Sequence, residues 1–192
     1  MCTTRRPARG FTMIELIIFI MIVGIAVVGT ISLLSVTSGR SADPQIRKQA
    51  LTIAESLLEE IELAHFTLCD PTDATADVAA HASDCSSVVE DWGPEAGNSR
   101  PYDNVNDYVN SSTHVGSYTT DANGGSFPSN YVATVSIKTE SGLGPSGGVI
   151  MSDNTPANMN ALRIKVRVTY PPNNDFVELD GYRTRYAPNS LP

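Results

Sequence analysis

The chain has 192 residues, enough for one modest domain and a membrane anchor. It carries 13 Lys and Arg against 21 Asp and Glu, a formal net charge of −8. Because phosphate binding needs a basic surface, this acidic balance argues against nucleic acid as a partner.

The N-terminal part of the chain combines a basic segment with an apolar run of membrane length. Arg5, Arg6 and Arg9 come first, and residues 16–34 are almost entirely apolar. As a helix this run would span about 28 Å, at ~1.5 Å per residue, which matches the ~30 Å hydrocarbon core of a bilayer. By the positive-inside rule, the arginines place the N-terminus in the cytoplasm and the rest of the chain on the other side.

Between the two parts lies the sequence Gly-Phe-Thr-Met-Ile-Glu, at residues 10–15. An ordinary export signal has its small-residue cleavage site after the apolar run, whereas here the small residue comes before it. The pattern resembles the prepilin N-terminus of type IV pilins and type II secretion pseudopilins. The resemblance implies that a prepilin peptidase cuts after Gly10, that Phe11 becomes the N-methylated first residue, and that Glu15 acts in assembly. A plain membrane anchor, the simpler alternative, leaves a carboxylate at the edge of the apolar run unexplained.

The resemblance also implies a location and a set of partners. The subunit would be a single-pass inner-membrane protein with its C-terminal domain in the periplasm, and would then join an extracellular pilus filament. Its partners would be membrane lipid before assembly, the prepilin peptidase, the inner-membrane assembly platform and the helices of other pilin subunits. A carboxylate in an apolar segment costs ~2.5–3.5 kcal/mol on insertion scales, so Glu15 needs a partner in the filament. The N-terminal amine of Phe11 on a neighbouring subunit is the predicted one.

The apolar run leads into an amphipathic helix. Apolar residues recur at three- and four-residue steps from Ile46 to Ala64 and predict one stripe that a sheet must cover. Asp43 and Pro44 form a helix-start signal inside this helix, because aspartate is a common N-cap and proline suits the first turn. We interpret the signal as a kink near Pro44 in one long helix rather than a break between two helices.

Three cysteines are present, of which Cys2 lies in the leader. Cys69 and Cys85 remain as an even pair in an oxidising compartment, which predicts a disulfide that closes an acidic loop. By the chain-entropy model, a loop of this size stabilises the fold by ~3 kcal/mol. A zinc site that includes His81 is the alternative, but three candidate ligands without a fourth match zinc poorly.

Residues 102–108 alternate aromatic and acidic groups within a long polar segment, residues 67–129. The oxygens of Asp103, Asn106 and Asp107 are candidate calcium ligands, but the segment lacks the turn glycine and the terminal Glu of an EF-hand loop. We therefore expect no metal site and no cofactor, and interpret this stretch as a loop that its two tyrosines hold to the domain.

The last third of the chain is strand-like. Residues 131–140 and 161–170 alternate apolar and polar side chains, and residues 176–186 return as another strand after a Pro-Pro-Asn-Asn-Asp turn. Gly181 predicts a β-bulge in this returning strand. An antiparallel sheet of three to five strands, packed on the helix stripe, gives an α+β fold, and the resemblance implies the same pilin-like architecture. The predicted organisation is a leader peptide at 1–10, a transmembrane and assembly half-helix at 11–43, an amphipathic half-helix at 44–66, a disulfide-containing variable loop region at 67–130 and a sheet at 131–192.

Within the pilin superfamily, further segments resemble the minor pilins of mannose-sensitive haemagglutinin (MSHA) pili. These segments are residues 47–51, 54–61, 102–108 and 179–188. The implied function is that of a minor pilin incorporated into the filament, or priming it, for surface adhesion and biofilm formation. The main alternative is a minor pseudopilin of a type II secretion system, which shares the pattern up to about Pro44.

Two other functional classes fit less well. An enzyme is not expected, because His65, His81 and His114 lie far apart in the sequence and outside any nucleophile or zinc-hydrolase motif. A glycan-binding adhesin module would use the aromatic residues of the polar segment. These are Trp92, Tyr102, Tyr108 and Tyr118. A loop that covers the sheet is the simpler interpretation of the same residues.

Overall fold

The computed structural model describes the backbone of residues 10–185 and the side chains of residues 10–34 and 44–185. The predictions about the leader arginines, Cys2, the Asp43 side chain and the chain after residue 185 lie outside the described residues. The chain divides into two compact units, one up to Gln45 and one from Ile46 onward.

The first unit is dominated by the apolar part of a long helix, α1, which runs over Met13–Leu63. The segment Met13–Leu34 is long and apolar enough to cross a membrane, and none of it is buried by the described chain. A helix that is apolar all round needs an apolar surrounding, either lipid or other helices. Pro44 lies inside α1, and the kink expected there remains a prediction.

In the second unit, one face of α1 is buried, as the apolar stripe predicts. Ala50, Leu57 and Ile61 are at most 1% exposed, and Ile46 and Ile53 pack against the same core. The sheet residues of this core include Ala133, Val135, Ile137, Leu162, Ile164, Val166, Val168 and Val177. The prediction that the sheet covers the stripe is confirmed.

Four antiparallel strands form one sheet in the order β1-β2-β3-β4. Their bounds are Val115–Tyr118 for β1, Val132–Thr139 for β2, Ala161–Tyr170 for β3 and Asp175–Thr184 for β4. Strands β2, β3 and β4 closely match the predicted ones. Strand β1 lies in the segment that was expected to be a loop. The sequence did not predict it, because four residues that include a glycine give too short an alternation to recognise. The α+β, pilin-like fold class is confirmed.

Strand β3 shows the predicted alternation, with its apolar residues buried and its three basic residues on the opposite face. The basic residues form ion pairs with β4: Arg163 with Asp180 at 2.8 Å, Lys165 with Glu178 at 2.5 Å and Arg167 with Glu178 at 3.1 Å. Because these side chains are substantially exposed, each pair contributes only ~0–1 kcal/mol. The buried face therefore supplies most of the stability of the sheet.

The predicted β-bulge at Gly181 is wrong. Gly181 pairs with Ile164 in a β3–β4 register that is uninterrupted along both strands. A Cβ atom at Gly181 would lie 2.5 Å from Glu62 Oε1 and 2.8 Å from Leu58 Cδ1. The glycine therefore allows the amphipathic half of α1 to approach the sheet closely. A strand glycine is compatible with a bulge or with a close approach, and the sequence pattern does not separate the two.

Candidate functional site

The residues predicted for cleavage and methylation, Gly10 and Phe11, lie just before α1 and are exposed. Thr12 starts the helix, because its carbonyl and hydroxyl oxygens both accept from the Glu15 N–H, at 3.1 and 3.4 Å. Threonine followed three residues later by glutamate is the sequence pattern of a capping box, a signal that the sequence analysis missed. Glu15 also lies in the first turn of α1, where a carboxylate interacts favourably with the helix dipole.

Cys69 and Cys85 form the predicted disulfide, with their Cα atoms 5.4 Å apart. Both thiols are thereby used, and the zinc alternative loses its sulfur ligands. The segments beside the disulfide also pair through their backbones. The N–H groups of Asp70 and Glu90 donate to carbonyl groups of the facing segment at 3.2 and 3.0 Å. The disulfide loop is thus tied to the chain that follows it.

Asp73 organises the interior of the disulfide loop. Its carboxylate accepts from the hydroxyls of Thr75, Ser86 and Ser87 at 2.7, 2.6 and 2.9 Å. It also accepts from their backbone N–H groups. The hydroxyls of Ser86 and Thr75, followed by the Thr75 N–H, hold the pKa of Asp73 well below its ordinary value. This carboxylate is therefore stabilised as an anion by hydrogen bonds alone.

A largely buried ion pair holds the predicted loop to α1. Arg100 Nη2 lies 2.6 Å from Glu60 Oε2, and the two side chains are 11% and 12% exposed. The Tyr108 hydroxyl donates to Glu60 Oε1 at 2.9 Å, and the Tyr118 hydroxyl donates to the Tyr108 carbonyl at 2.7 Å. Tyr108 is fully buried, with its ring edge-on to that of Tyr102 at 5.0 Å between centroids. The prediction that the tyrosines hold this loop to the domain is confirmed.

The aromatic residues considered for glycan binding pack inward. Trp92 is 7% exposed, and its ring stacks on that of His114 with 4.0 Å between centroids. Tyr102 and Tyr118 are half-buried and pack against the core that contains Tyr108. These rings are used in packing, and the adhesin hypothesis gains no support from them.

Five carboxylates from the polar segment come together in an acidic cluster, formed by Asp70, Glu90, Glu95, Asp103 and Asp107. Asp70, Glu90 and Glu95 each offer an oxygen within 4.8 Å of the others, and Glu95, Asp103 and Asp107 do the same. Glu95 is common to both groups. The sequence analysis identified Asp103 and Asp107 but missed the other three, because residues distant along the chain meet only when it folds.

The acidic cluster is buried and poorly satisfied. Glu90 and Asp107 are each 1% exposed. Glu90 Oε2, Asp107 Oδ1 and Asn106 Oδ1 are buried without a hydrogen-bond partner. The Asn106 amide donates to Glu90 Oε1 at 2.8 Å, and the Asn98 amide donates to Asp103 Oδ1 at 2.7 Å. In the described part of the chain, no lysine or arginine forms an ion pair with any of the five carboxylates.

This environment disfavours ionisation of the two buried acids. Burial raises the pKa of Glu90 to about 9, and the carboxylates of Asp107 and Glu95 add to the effect. Burial also raises the pKa of Asp107 to about 8, with contributions from Glu95 and Asp103. Arg185 acts on Glu90 as a nearby cation, but its guanidinium donates to the Pro156 carbonyl at 3.0 Å and forms no ion pair with Glu90. A negative charge on Glu90 or Asp107 would therefore have no ion-pair partner among the described residues.

Comparison with known proteins finds a family model that matches the N-terminal part of the chain. Residues 5–31 match the family model described as the prokaryotic N-terminal methylation motif. The match includes Gly10, Phe11 and Glu15, and it supports a type IV pilin or pseudopilin. It implies assembly with other pilins and processing by a prepilin peptidase, and it is typical of a structural subunit rather than an enzyme. The chain has no match among curated proteins or among solved structures.

Proposed function

We propose that the chain is a minor pilin of an MSHA-like type IV pilus, most similar to the D component of such pili. It is cleaved after Gly10, methylated at Phe11, and incorporated into the filament or used to prime it for surface adhesion. The observation that carries this proposal is the methylation motif joined to an exposed apolar helix, Met13–Leu34. Cleavage before the apolar run leaves that surface on the mature protein, where lipid or other helices must cover it.

Lipid and neighbouring helices cover the same surface in succession. In the inner membrane, the hydrocarbon core surrounds the first half of α1, with the domain in the periplasm. In the filament, the helices of other subunits replace the lipid. Glu15 then pairs with the N-terminal amine of Phe11 on a neighbouring subunit, because a buried carboxylate needs a positive partner. Such a buried polar pair sets the axial register of the packed helices, as a single polar residue does in a coiled coil.

The cap at Thr12 contributes to this pairing. It fixes the start of α1 two residues after the processed N-terminus, since the Glu15 N–H donates to Thr12. The amine and the carboxylate of each subunit are then held at a constant separation along the helix axis. A constant separation is what a repeated contact between identically processed helices requires.

A minor pseudopilin of a type II secretion system is the second candidate, supported by the same motif. The two candidates differ in the assembly platform that they need. Deleting the pilus platform should remove the subunit from surface filaments if it is a minor pilin. Loss of the subunit should instead abolish protein secretion if it is a pseudopilin.

Intact-mass spectrometry of the protein from its native host tests the pathway. We expect a chain that begins at Phe11, carries one added methyl group and lacks two hydrogens because of the Cys69–Cys85 disulfide. A chain that still begins at Met1, in cells with a working prepilin peptidase, would contradict the proposal and leave a plain membrane-anchored domain.

The substitution Glu15→Ala tests the pairing. The variant should insert in the membrane at the wild-type level, because it removes a charge from an apolar segment. Its incorporation into filaments should fall about tenfold or more, the factor that ~1.4 kcal/mol of lost pairing gives. Glu55→Ala, at an exposed position of the second half of α1, is the control and should assemble normally. Equal incorporation of Glu15→Ala would rule the pairing out.

A further inference from the structure

The acidic cluster is the part of the molecule that pilus assembly does not explain. Glu90 and Asp107 are each 1% exposed, and each has a carboxylate oxygen with no hydrogen-bond partner. An ionised carboxylate in such a place is strongly unfavourable unless a positive charge compensates it. Asp73 shows the contrast, because hydroxyl and backbone N–H donors satisfy both of its oxygens. In the cluster, by contrast, Glu90 Oε2 and Asp107 Oδ1 have no such donor in the described part of the chain, and a bound cation would act in its place.

We propose that the acidic cluster is a calcium site. Calcium takes about six to eight oxygen ligands from carboxylates and amide carbonyls in flexible geometry. The cluster offers five carboxylates in two groups of three that share Glu95. The buried Asn106 Oδ1 has no donor among the residues that the structure describes and is a further candidate ligand, since the amide nitrogen of the same side chain lies 2.8 Å from Glu90 Oε1. Magnesium fits less well, because it demands near-ideal octahedral geometry and retains several waters. The ligand set holds no histidine or thiolate, which disfavours zinc.

The surrounding fold holds the ligands in place. The disulfide and the backbone pairing beside it hold Asp70 near Glu90. A 3₁₀ turn over Val105–Tyr108, capped by Asn104, carries Asn106 and Asp107. Glu95 is only partly buried and is common to both groups of carboxylates. A bound ion would therefore link segments that are far apart in sequence, and should stabilise the domain against unfolding.

The single tryptophan of the chain provides a probe of the site. Trp92 lies two residues after Glu90 and three before Glu95, and it is buried. Terbium occupies calcium sites and emits when a nearby tryptophan is excited. We expect full-length protein in detergent to give tryptophan-sensitised terbium emission, and added calcium to reduce this emission by displacing terbium.

Thermal unfolding is a second test of the site. Calcium at ~5 mM should raise Tm by about 3–6 °C relative to EDTA, as a site of Kd near 0.1–1 mM implies. Magnesium at the same concentration should have a smaller effect.

Three glutamate-to-glutamine variants test which residues bind the ion. Glu95→Gln should weaken terbium and calcium binding at least ~10-fold, because losing a ligand costs no less than losing an outer-shell partner. Its Tm in EDTA should stay close to wild type, since Glu95 is partly exposed. Glu90→Gln should also lose the calcium response, while its Tm in EDTA should equal or exceed wild type, because glutamine replaces a buried acid that lacks a compensating partner. Glu55→Gln, exposed on α1, is the matched control and should bind calcium normally.

Several results would overturn the proposal. If wild-type protein shows neither sensitised terbium emission nor a calcium-dependent Tm shift up to ~10 mM, the proposal is refuted. A calcium response that Glu95→Gln leaves intact, or one that magnesium reproduces in full, would indicate general charge screening and would refute it equally. The calcium site does not depend on the proposed function. Its failure would leave cleavage after Gly10 and the role of Glu15 untouched.

Discussion

The two halves of α1 contain similar apolar residues in opposite surroundings. In the first half, Leu16 and Ile25 are 53% and 72% exposed, whereas Leu57 and Ile61 in the second half are at most 1% exposed. A helix that is apolar on one face can find its cover within its own chain. A helix that is apolar all round needs more neighbours than one small domain supplies. The exposed first half of α1 is therefore available for association with lipid or other helices, whereas the second half stabilises the fold of the domain.

Leucine substitutions in the two halves should separate these roles most clearly. Leu57→Ala should lower the free energy of unfolding of the domain by about 2–5 kcal/mol, because it leaves a cavity in the core. Leu16→Ala should change it by less than ~0.5 kcal/mol, since its side chain lies outside that core. Urea denaturation in detergent, followed by the fluorescence of Trp92, measures both. Similar losses for the two variants would mean that the first half also stabilises the domain.

Two glutamates on the second half of α1 should also differ in how much they contribute to the free energy of unfolding. Glu60→Ala leaves the Arg100 guanidinium largely buried without its carboxylate and removes the acceptor of the Tyr108 hydroxyl. We expect a loss of about 3 kcal/mol in unfolding free energy. Glu55→Ala, exposed on the same helix, should cost less than ~0.5 kcal/mol. A double-mutant cycle of Glu60 with Arg100 should show strong coupling, and additive effects would contradict a direct interaction.

Glycine substitutions should have a smaller effect on the free energy of unfolding. At Gly181 an added Cβ meets the ends of two flexible side chains, Glu62 and Leu58, which can move aside. Gly181→Ala should therefore destabilise the domain by only about 1 kcal/mol, at the lower end of overpacking costs. Gly24→Ala, where an added Cβ meets no atom within 4 Å, should leave the stability of the domain unchanged. Denaturation curves of the two variants check the difference, and a stabilised Gly181→Ala would show that the close approach was misjudged.

The smallest expected effect is on the pH dependence of folding stability, and it concerns the second unit alone. The folded-state pKa of Asp73 lies below its ordinary value of 3.8, owing to the Ser86 and Thr75 hydroxyls. Its contribution to stability is therefore complete above about pH 4 and is lost as the pH falls further, because the unfolded chain binds the proton more readily. Stability measured between pH 6 and pH 3 should fall less steeply in Asp73→Asn than in wild type. Identical slopes would contradict this role for Asp73.

Periodic features of the sequence predicted the fold well. The stripe from Ile46 to Ala64 and the alternation in β3 each depend on local spacing, which fixes the buried face of an element. Strand β1 and the role of Gly181 were not predicted. Each depends on what lies across the fold, such as Tyr108 beside Gly116 and Leu58 beside Gly181, and local spacing does not contain that information.

The N-terminal motif and the acidic cluster also differ in how far the sequence predicts them. Gly10, Phe11 and Glu15 lie close together along the chain, so the sequence alone is enough to predict roles for them. The acidic cluster combines Asp70, Glu90 and Glu95 with two residues of the loop, and their meeting depends on a disulfide and a 3₁₀ turn. Sequence analysis found only Asp103, Asn106 and Asp107, the part of this set that is contiguous along the chain.

Strand β4 lies at one edge of the sheet, and no further strand pairs with it among residues 10–185. An open edge can recruit strands from other molecules and so start aggregation. This risk grows wherever many copies are concentrated. Glu178 and Asp180 of β4 pair with Arg163, Lys165 and Arg167 of β3, so charged side chains line the solvent face beside this edge. Charged side chains at a sheet edge disfavour pairing with a further strand. The charged residues beside β4 therefore protect the domain from self-association through this edge.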